Sequence, residues 1–565
     1  MSRMRPGLLF GWLLLVSAVG FAVEPTPDSI LAAVENGDAS VLRERDKARL
    51  KDLAGIARTS LERLSGGLSR IVYTNGWSVY VNRGERVARL DGIAVEPKDF
   101  FVKPRRAIPE TRFAPEDDPN RPQLRFTQKS GFANDPNGLV YYKGEWHLFH
   151  QHNPYGLLFG NQTWNHAVSK DLVHWTELGG VLHPDAMGVM YSGSAVVDSR
   201  NTAGFGKDAL VLVYTACGYY MAQCLASSTD GRGFTKWSGN PAINFFAGGN
   251  RDPKAFWHEP TSRWVIPVYA EDEGKHAVWI FSSPNLREWK KESVFDGDET
   301  KGEGKFLYEC PGLERISVEG ENEAAWVLWG ADGDYVTGSF DGRQFVQKGA
   351  RKKGVAGPRM GYYAAQTFSN VPDGRCIGLA WFLADYSEGA VFHRTFSIPQ
   401  ELTLRRVGGE LLLVRRPVRE YRSLRRGEAL PLDRFDGELA EIHLRAKVSA
   451  RGRLAFDLRG VNLSYDGETG ELTMAKTVSP WKLTDGCLDL VVYLDRVTAE
   501  VFSADGLQIL PVPDSRPDMK NRKLSVKSAE GVTVQRFVAF GLKSVYAAEL
   551  KSAEMPTAKK QEEKR

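Results

Sequence analysis

Five stretches of the chain share one pattern of apolar and polar positions. EWHLFHQ (145–151), LVLVYTA (210–216), RWVIPVYA (263–270), AWVLWGA (325–331) and RCIGLAWF (375–382) are short apolar runs rich in Trp, Tyr and Val. Each predicts a buried strand. The first four are followed by a second element: AVSKDLVHW (167–175), ASSTDGRGFTKW (226–237), FSSPNLREW (281–289) and GSFDGRQF (338–345). Their closing aromatics, Trp175, Trp237, Trp289 and Phe345, are 62, 52 and 56 residues apart. A β-rich period of this length predicts propeller blades, and five copies predict a five-bladed β-propeller over 118–404.

The flanks read differently. Leu50, Ala57 and Leu64 recur on one face, with Leu53, Ala54 and Leu61 beside them, and predict a helical region over 28–66. RIVYTNGWSVYV then predicts a hairpin turning at Asn75-Gly76. Residues 23–110 therefore form a small N-terminal α+β appendage, joined through the Pro-rich, charged linker VKPRRAIPETRFAPEDDPNRP. Residues 405–548 lack the repeat. Alternating strands such as LAEIHLRAKV, GRLAFDLRG, LDLVVYLD and TAEVFSA predict a C-terminal β-sandwich, and 549–565 a disordered tail. The fold class expected is all-β: propeller, then sandwich, with the appendage in front.

Composition narrows the function classes. At 565 residues the chain needs two or three cores. Charged residues at 25% and apolar residues at 42% are ordinary for a soluble protein, and the net charge of +4 has no concentrated basic face, so nucleic acid is not an expected partner. The basic MSRMR, the apolar GLLFGWLLLVSAVGFA and small residues near Ala22 predict a signal peptide over 1–22, the alternative being an uncleaved anchor. No later segment is long enough to span a membrane. A secreted or periplasmic protein is expected. The five cysteines are too few for a disulfide scaffold, although Cys217 and Cys224 could pair after export.

The candidate chemistry lies in the GFANDPNG stretch (131–138), which taken alone reads as a turn. Asp135 sits one strand upstream of the first repeated strand. Ser192 in MYSGSAVVD, Asp252 in NRDPKAFW and Glu309 in LYECPG sit in the same place before the second, third and fourth. In a propeller that upstream strand lines the central channel, so all four should converge. Turn chemistry explains Asp135 alone and leaves the register of Asp252 and Glu309 unexplained. Carboxylates crowded in one cavity repel each other unless something uses them. Paired carboxylates in an aromatic cleft suit glycoside hydrolysis, one attacking the anomeric carbon and the other protonating the leaving oxygen.

ANDPNG, RDP and YECPGL, in that order on a five-bladed propeller with a sandwich behind it, resemble glycoside hydrolase family 32, the β-fructofuranosidases. WHLFHQHNPYG, WNHAVSKDLVHW, YSGSAVVD, YYAAQTF and, in the sandwich, VVYLDRVTAEVF extend the resemblance over roughly 122–548. It implies a retaining hydrolase acting through a covalent fructosyl-enzyme, with Asp135 as nucleophile, Glu309 as general acid/base and Asp252 as transition-state stabiliser beside Arg251. It also implies a fructose pocket lined by Asn134, Gln151, Phe159, Tyr191, Ser192 and Trp381, with Cys310 next to the acid/base. No metal or cofactor is implied. The expected partner is a fructan or a fructose-containing oligosaccharide.

The chain departs from the family pattern where Phe132 and Ala133 replace a Trp-Met pair, where Phe159 replaces a pocket Trp, and where Gly361 replaces an Asp before Tyr-Ala-Ala-Gln. A fructan preference over sucrose is therefore expected, with fructosyl transfer and non-catalytic sugar binding as the alternatives. His150 and His152 alternate on one strand, but no Cys or carboxylate ligand set accompanies them. They read as packed or sugar-binding histidines.

Overall fold

The computed structural model describes residues 26–546 apart from 39, 41, 51–52, 54–57, 64–66, 74–77, 87, 91–92, 104–115, 186, 219, 298–302, 356–360 and 385–388. The expected signal peptide and tail lie outside the described residues.

Among the described residues the N-terminal region has two short helices, a four-stranded sheet and a two-stranded pairing of Ala88–Leu90 with Ile93–Val95. Pro27–Asn36 begins under Thr26, whose Oγ1 accepts from Ser29 N at 3.3 Å, and ends at Gly37 in the left-handed conformation. Glu44–Leu50 follows. Arg58–Arg63, Leu68–Tyr73, Ser78–Asn82 and Asp99–Lys103 then make a four-stranded antiparallel sheet in chain order. The helix expected over 28–66 is corrected here, because 58–63 is an edge strand. Leu53 does pack with Ile30, Leu31, Val34, Ile71 and Val79, but Leu61 points outward at 40% exposure. Sheet pairing has overridden a helical spacing that the core residues share only in part. Asn75-Gly76 lies outside the described residues; the strands on either side of it pair antiparallel.

Residues 131–417 form five successive antiparallel sheets. The first is Gly131–Tyr142, Glu145–Asn153, Thr163–Ser169 and Trp175–Leu182; the others begin at Val189–Asp198, Gly248–Arg251, Gly312–Ser317 and Tyr362–Thr367. Each repeated apolar run is the second strand of its sheet. The elements that follow the first four runs share one turn. Asp171, Asp230, Asn285 and Asp341 each accept, through Oδ1, two backbone N–H groups, two and three residues on. This side chain-to-backbone turn is the physical content of the repeat.

The leading strands meet one another. Gly193 N donates to Asn137 Oδ1 at 3.1 Å, Ser194 Oγ to Pro253 O at 2.8 Å, Lys254 Nζ to Thr367 O at 2.7 Å and Ser369 Oγ to Ala195 O at 2.7 Å. Phe392–His393, from the fifth sheet's chain, pairs parallel with Gly131–Phe132 of the first. The domain boundary expected at 404/405 is corrected, because it cuts the strand Gln400–Val407. That strand pairs with Glu410–Pro417, so residues to 417 complete the fifth sheet.

The C-terminal region is a nine-stranded sheet organised on two 19-residue strands, Ala440–Leu458 and Leu524–Leu542. The first half of Ala440–Leu458 pairs with Cys487–Leu494, and its second half pairs with Val461–Asp466. Ile442 and Leu444 from one half share a core with Leu454, Phe456 and Leu458 from the other, so the sheet doubles over on itself. A second core joins this region to the sheets before it: Leu124, Phe126, Phe382 and Phe396 pack with Tyr493, Phe502 and Ile509. Cys217 and Cys224 are free, which corrects the pairing considered for them. On adjacent strands Cys217 faces Met221 and Cys224 faces Tyr214, out of disulfide register. Among the described residues no helix is long and apolar enough to cross a membrane.

Candidate active site

The leading strands bring Asp135, Ser192, Asp252 and Glu309 together. Asp135 lies within Gly131–Tyr142 and Ser192 within Val189–Asp198, whereas Asp252 directly follows Gly248–Arg251 and Glu309 precedes Gly312–Ser317. Asp252, Glu309 and Cys310 all have positive φ, at 64°, 49° and 47°. Three non-glycine residues in this conformation store strain that the surroundings must hold in place, a common signature of functional sites.

Asp135 Oδ2 accepts from Ser192 Oγ at 2.5 Å, and Oδ1 lies 3.4 Å from Asn134 Nδ2. Gln151 completes the group, accepting from Asn134 Nδ2 and donating to Ser192 Oγ at 2.8 Å. Asp252 Oδ2 accepts from Cys310 N at 3.0 Å and contacts Cys310 Sγ at 3.5 Å; that sulfur is 3.6 Å from Asp135 Oδ2. Behind Asp252, its N–H donates to Thr215 Oγ1, which donates on to Gln223, itself bonded to Asn250.

Arg251 lies between the acids. Its Nη2 and Nε donate to Glu309 Oε2 at 2.8 and 3.1 Å, and Nε lies 3.6 Å from Asp252 Oδ2. The guanidinium stacks over Tyr269 at 4.5 Å and Tyr308 at 5.3 Å. Glu309 Oε1 accepts from Tyr363 Oη at 2.5 Å. Side-chain exposure is graded: 22% for Glu309, 11% for Arg251 and 4% for Asp252. Asp135 and Glu309 are thus part-exposed, whereas Asp252 is buried.

Burial and like charge set the electrostatics. Burial, then the negative charge of Glu309, pushes Asp135 up to about 6, against the hydrogen bonds from Ser192, Asn134 and Cys310. Burial also raises Asp252; Arg251 opposes the rise, while Glu309 and Asp135 add to it. Burial works against the Arg251 charge, but Asp252 and Glu309 outweigh it and keep the guanidinium protonated. The Cys310 thiol is pushed well up, first by burial and then by the neighbouring carboxylates, so it stays protonated and can donate.

The remaining pocket residues form an aromatic wall. Tyr191, Phe159, Phe132, Trp381 and Tyr363 follow one another in edge-on contacts, with ring centroids 6.0, 6.5, 6.0 and 6.3 Å apart. The two substituted positions, Phe132 and Phe159, are thus in the wall. Among the described residues two buried polar atoms beside the acids, Trp381 Nε1 and Asn134 Oδ1, have no hydrogen-bond partner. A hydroxyl-rich ligand supplies what such atoms lack. His150 Nδ1 and His152 Nε2 bond to the carbonyls of Gln151 and Ser130. Sequence reasoning missed Tyr363 as a functional residue although YYAAQTF was in view, and it missed the Thr215–Gln223–Asn250 support, which carries no motif.

Comparison with known proteins agrees with this geometry. The model for the glycosyl hydrolases family 32 N-terminal domain matches residues 125–416. The chain is 34% identical over 491 residues to the levanase of Bacillus subtilis (strain 168), covering 76% of this chain and 71% of the levanase. It is 35% identical over 317 residues to an invertase of Schizosaccharomyces pombe (strain 972 / ATCC 24843), covering 51% of this chain and 54% of that protein. The crystal structure of the exo-inulinase from Aspergillus awamori superposes with a TM-score of 0.68 at 25% identity, covering 76% of this chain and all of the exo-inulinase. With the family model spanning the five sheets and the carboxylates brought together around Arg251 and Cys310, the chain belongs to glycoside hydrolase family 32 and is a glycoside hydrolase of the β-fructofuranosidase type.

Proposed function

We propose that this enzyme is an exported exo-fructanase that releases single fructose units from chain ends by a retaining mechanism. The observation that carries the reading is the convergence of Asp135, Asp252 and Glu309 on Arg251 and Cys310. In it Asp135 attacks the anomeric carbon of a terminal fructofuranosyl unit, forming a carbon–oxygen bond. Glu309 gives its proton to the departing glycosidic oxygen. Water then attacks the same carbon, Glu309 takes the water's proton, and the bond to Asp135 breaks. Asp252, with Arg251, fixes the fructose hydroxyls and supplies negative charge below an oxocarbenium-like ring.

Asn134, Gln151, Ser192 and Trp381 hold the fructose, with Phe159 and Tyr191 at the rim. The five sheets are the blades of a β-propeller over about 118–417. The doubled nine-stranded sheet behind them is a β-sandwich reaching about 546. Residues 26–103 are an appendage outside the matched family region. What supports a polymer substrate is the naming of the relatives: a levanase, and exo-inulinases described as extracellular. The wall also bears on it, because Phe159 puts no hydrogen-bonding indole at the rim to discriminate for sucrose.

The test is kcat/KM on sucrose, inulin and levan, with products separated over time. Fructose as the first product, with either polymer preferred, is expected. A tenfold or greater preference for sucrose over both polymers would overturn the fructanase reading, and long oligosaccharides as first products would overturn exo action.

A further inference from the structure

The motif VVYLDRVTAEVF (491–502) carried part of the family resemblance yet contributes nothing to the site described above. Two of its residues, Asp495 and Glu500, are fully buried acids at the junction between the C-terminal region and the five sheets. Glu500 accepts from Arg125 Nη1, from Ile398 N at 3.0 Å and from Tyr362 Oη, which in turn accepts from Gln400 Nε2 at 2.8 Å. Arg125 Nε is 3.5 Å from Asp495 Oδ2, and both members of each Arg125 pair have fully buried side chains. Asp495 also accepts from Gln123 N and Leu124 N. A buried ion cluster is a poor device for stability alone, because apolar packing of the same volume does as well or better. It does fix the position of whatever it touches.

Tyr362 is adjacent to Tyr363 on one strand, so the two side chains leave on opposite faces. One hydroxyl is held by Glu500, the other by Glu309. The strand between them is irregular: its register against Cys376–Phe382 shifts between Tyr363 and Gln366, and Ala364 has φ 51°. A bulge with a non-glycine residue in the left-handed region persists only where neighbours over-determine it. The neighbours here lead back to the same carboxylate: Ala364 N donates to Ala331 O at 2.9 Å, and Ala331 N donates to Glu309 O at 3.0 Å. Glu309, itself at positive φ, is thus tied to this bulge by side chain and by backbone. On the far side of the strand, the Tyr362 hydroxyl is held between Glu500 of the C-terminal region and Gln400 of the fifth sheet.

We infer that Glu500, through Tyr362, is a positioning residue for Glu309, so that the C-terminal region sets the aim of the general acid. The inference rests on Glu309 being that acid. When the strand is clamped, Tyr363 Oη and the Ala331 link hold the Glu309 carboxyl where a leaving oxygen arrives. When the clamp is released, binding of the terminal fructose persists but proton delivery loses its geometry.

General acid catalysis matters for a poor leaving group and little for one that departs as a stable anion. The experiment therefore compares sucrose with a nitrophenyl β-fructofuranoside, using the full chain, for wild type, Tyr362→Phe, Glu500→Gln and Glu309→Gln. Tyr362→Phe leaves the Arg125–Glu500 pair in place, so it reports even if Glu500→Gln does not fold. Tyr362→Phe is expected to lower kcat on sucrose by about tenfold, a fraction of the full contribution of a general acid. KM should stay within about twofold, the activated donor should lose about twofold at most, and the basic limb of the pH profile should move. Equal losses on both donors, or a lower melting temperature with unchanged kcat and pH profile, would overturn the inference. If Glu309→Gln also loses equally on both donors, the assignment of the acid fails instead, and the two failures are distinct.

Discussion

Cys310 meets Asp252 Oδ2 twice, through its backbone N–H at 3.0 Å and its thiol at 3.5 Å. The same thiol is 3.6 Å from Asp135 Oδ2, so one side chain spans the acids of the first and third sheets. The contact lowers the Asp135 pKa against the larger effect of burial. Cys310→Ala removes it while leaving the backbone donor to Asp252 in place. The acid limb of kcat/KM is expected to move upward by less than about 1 pH unit, since a thiol is a weak donor. A downward shift would show that the thiol does not help keep Asp135 ionised.

Asp135→Asn separates chemistry from stability. Turnover should fall by about 10³-fold or more, because the proposed nucleophile is gone. Asp135 titrates near 6 in the fold and near 3.8 as a free side chain, so between those values the folded state holds more protons. Stability therefore falls as pH rises through that window. The Asn variant should be more stable than wild type by about 1–2 kcal/mol at pH 7, below the ~3 kcal/mol the full shift implies. Near pH 4 the gain should vanish. Melting curves at the two pH values check this, and a variant less stable at pH 7 would contradict it.

The same shift governs the acid side of the activity profile. In the proposed mechanism ionised Asp135 is the attacking form, so kcat/KM should decline below about pH 6 and lose close to tenfold per further pH unit. A profile flat down to pH 4 would rule out this titration as the controlling one.

Gly361 stands where the family pattern has Asp, and the structure explains the difference. A Cβ there would lie 2.2 Å from Pro511 Cγ and 2.7 Å from its Cβ, across the junction with the C-terminal region. Gly361→Asp is expected to destabilise the protein by about 1–3 kcal/mol. Gly361→Asp with Pro511→Ala should recover part of the loss. Thermal melts of the single and double variants decide this, and no recovery would mean that the clash is not the cause.

Much of the architecture was legible because two signals coincide. The apolar runs at 145–151, 210–216, 263–270, 325–331 and 375–382 are all second strands, and the Asp or Asn of the following turn marks the next hairpin in four of the five sheets. The acids are legible because each precedes a repeated apolar run, although the structure puts Asp135 within a leading strand, Asp252 just after one and Glu309 just before one. The fifth sheet's Gln400–Val407 and Glu410–Pro417 alternate with charged residues and look like the strands after them, so a boundary drawn from the apolar repeat falls too early. The region over 28–66 misled for another reason: a seven-residue spacing fits a helix, and only pairing with Leu68–Tyr73 makes Arg58–Arg63 a strand. Tyr363 was hidden among 61 aromatic residues, 14 Trp, 19 Tyr and 28 Phe. Nothing local marks the one whose hydroxyl meets Glu309.

The parallel pairing of Phe392–His393 with Gly131–Phe132 has a consequence for biosynthesis. The strand bearing Asp135 is the first strand of the five sheets to leave the ribosome, yet this neighbour lies more than 250 residues downstream, so that edge of the first sheet waits for most of the chain. Pairings over such separations form late. A nascent or truncated chain ending before residue 392 should therefore present an open strand edge and an unassembled site, prone to capture by other chains. The first sheet, and with it the assembled site, therefore waits at least until residue 393 has been made.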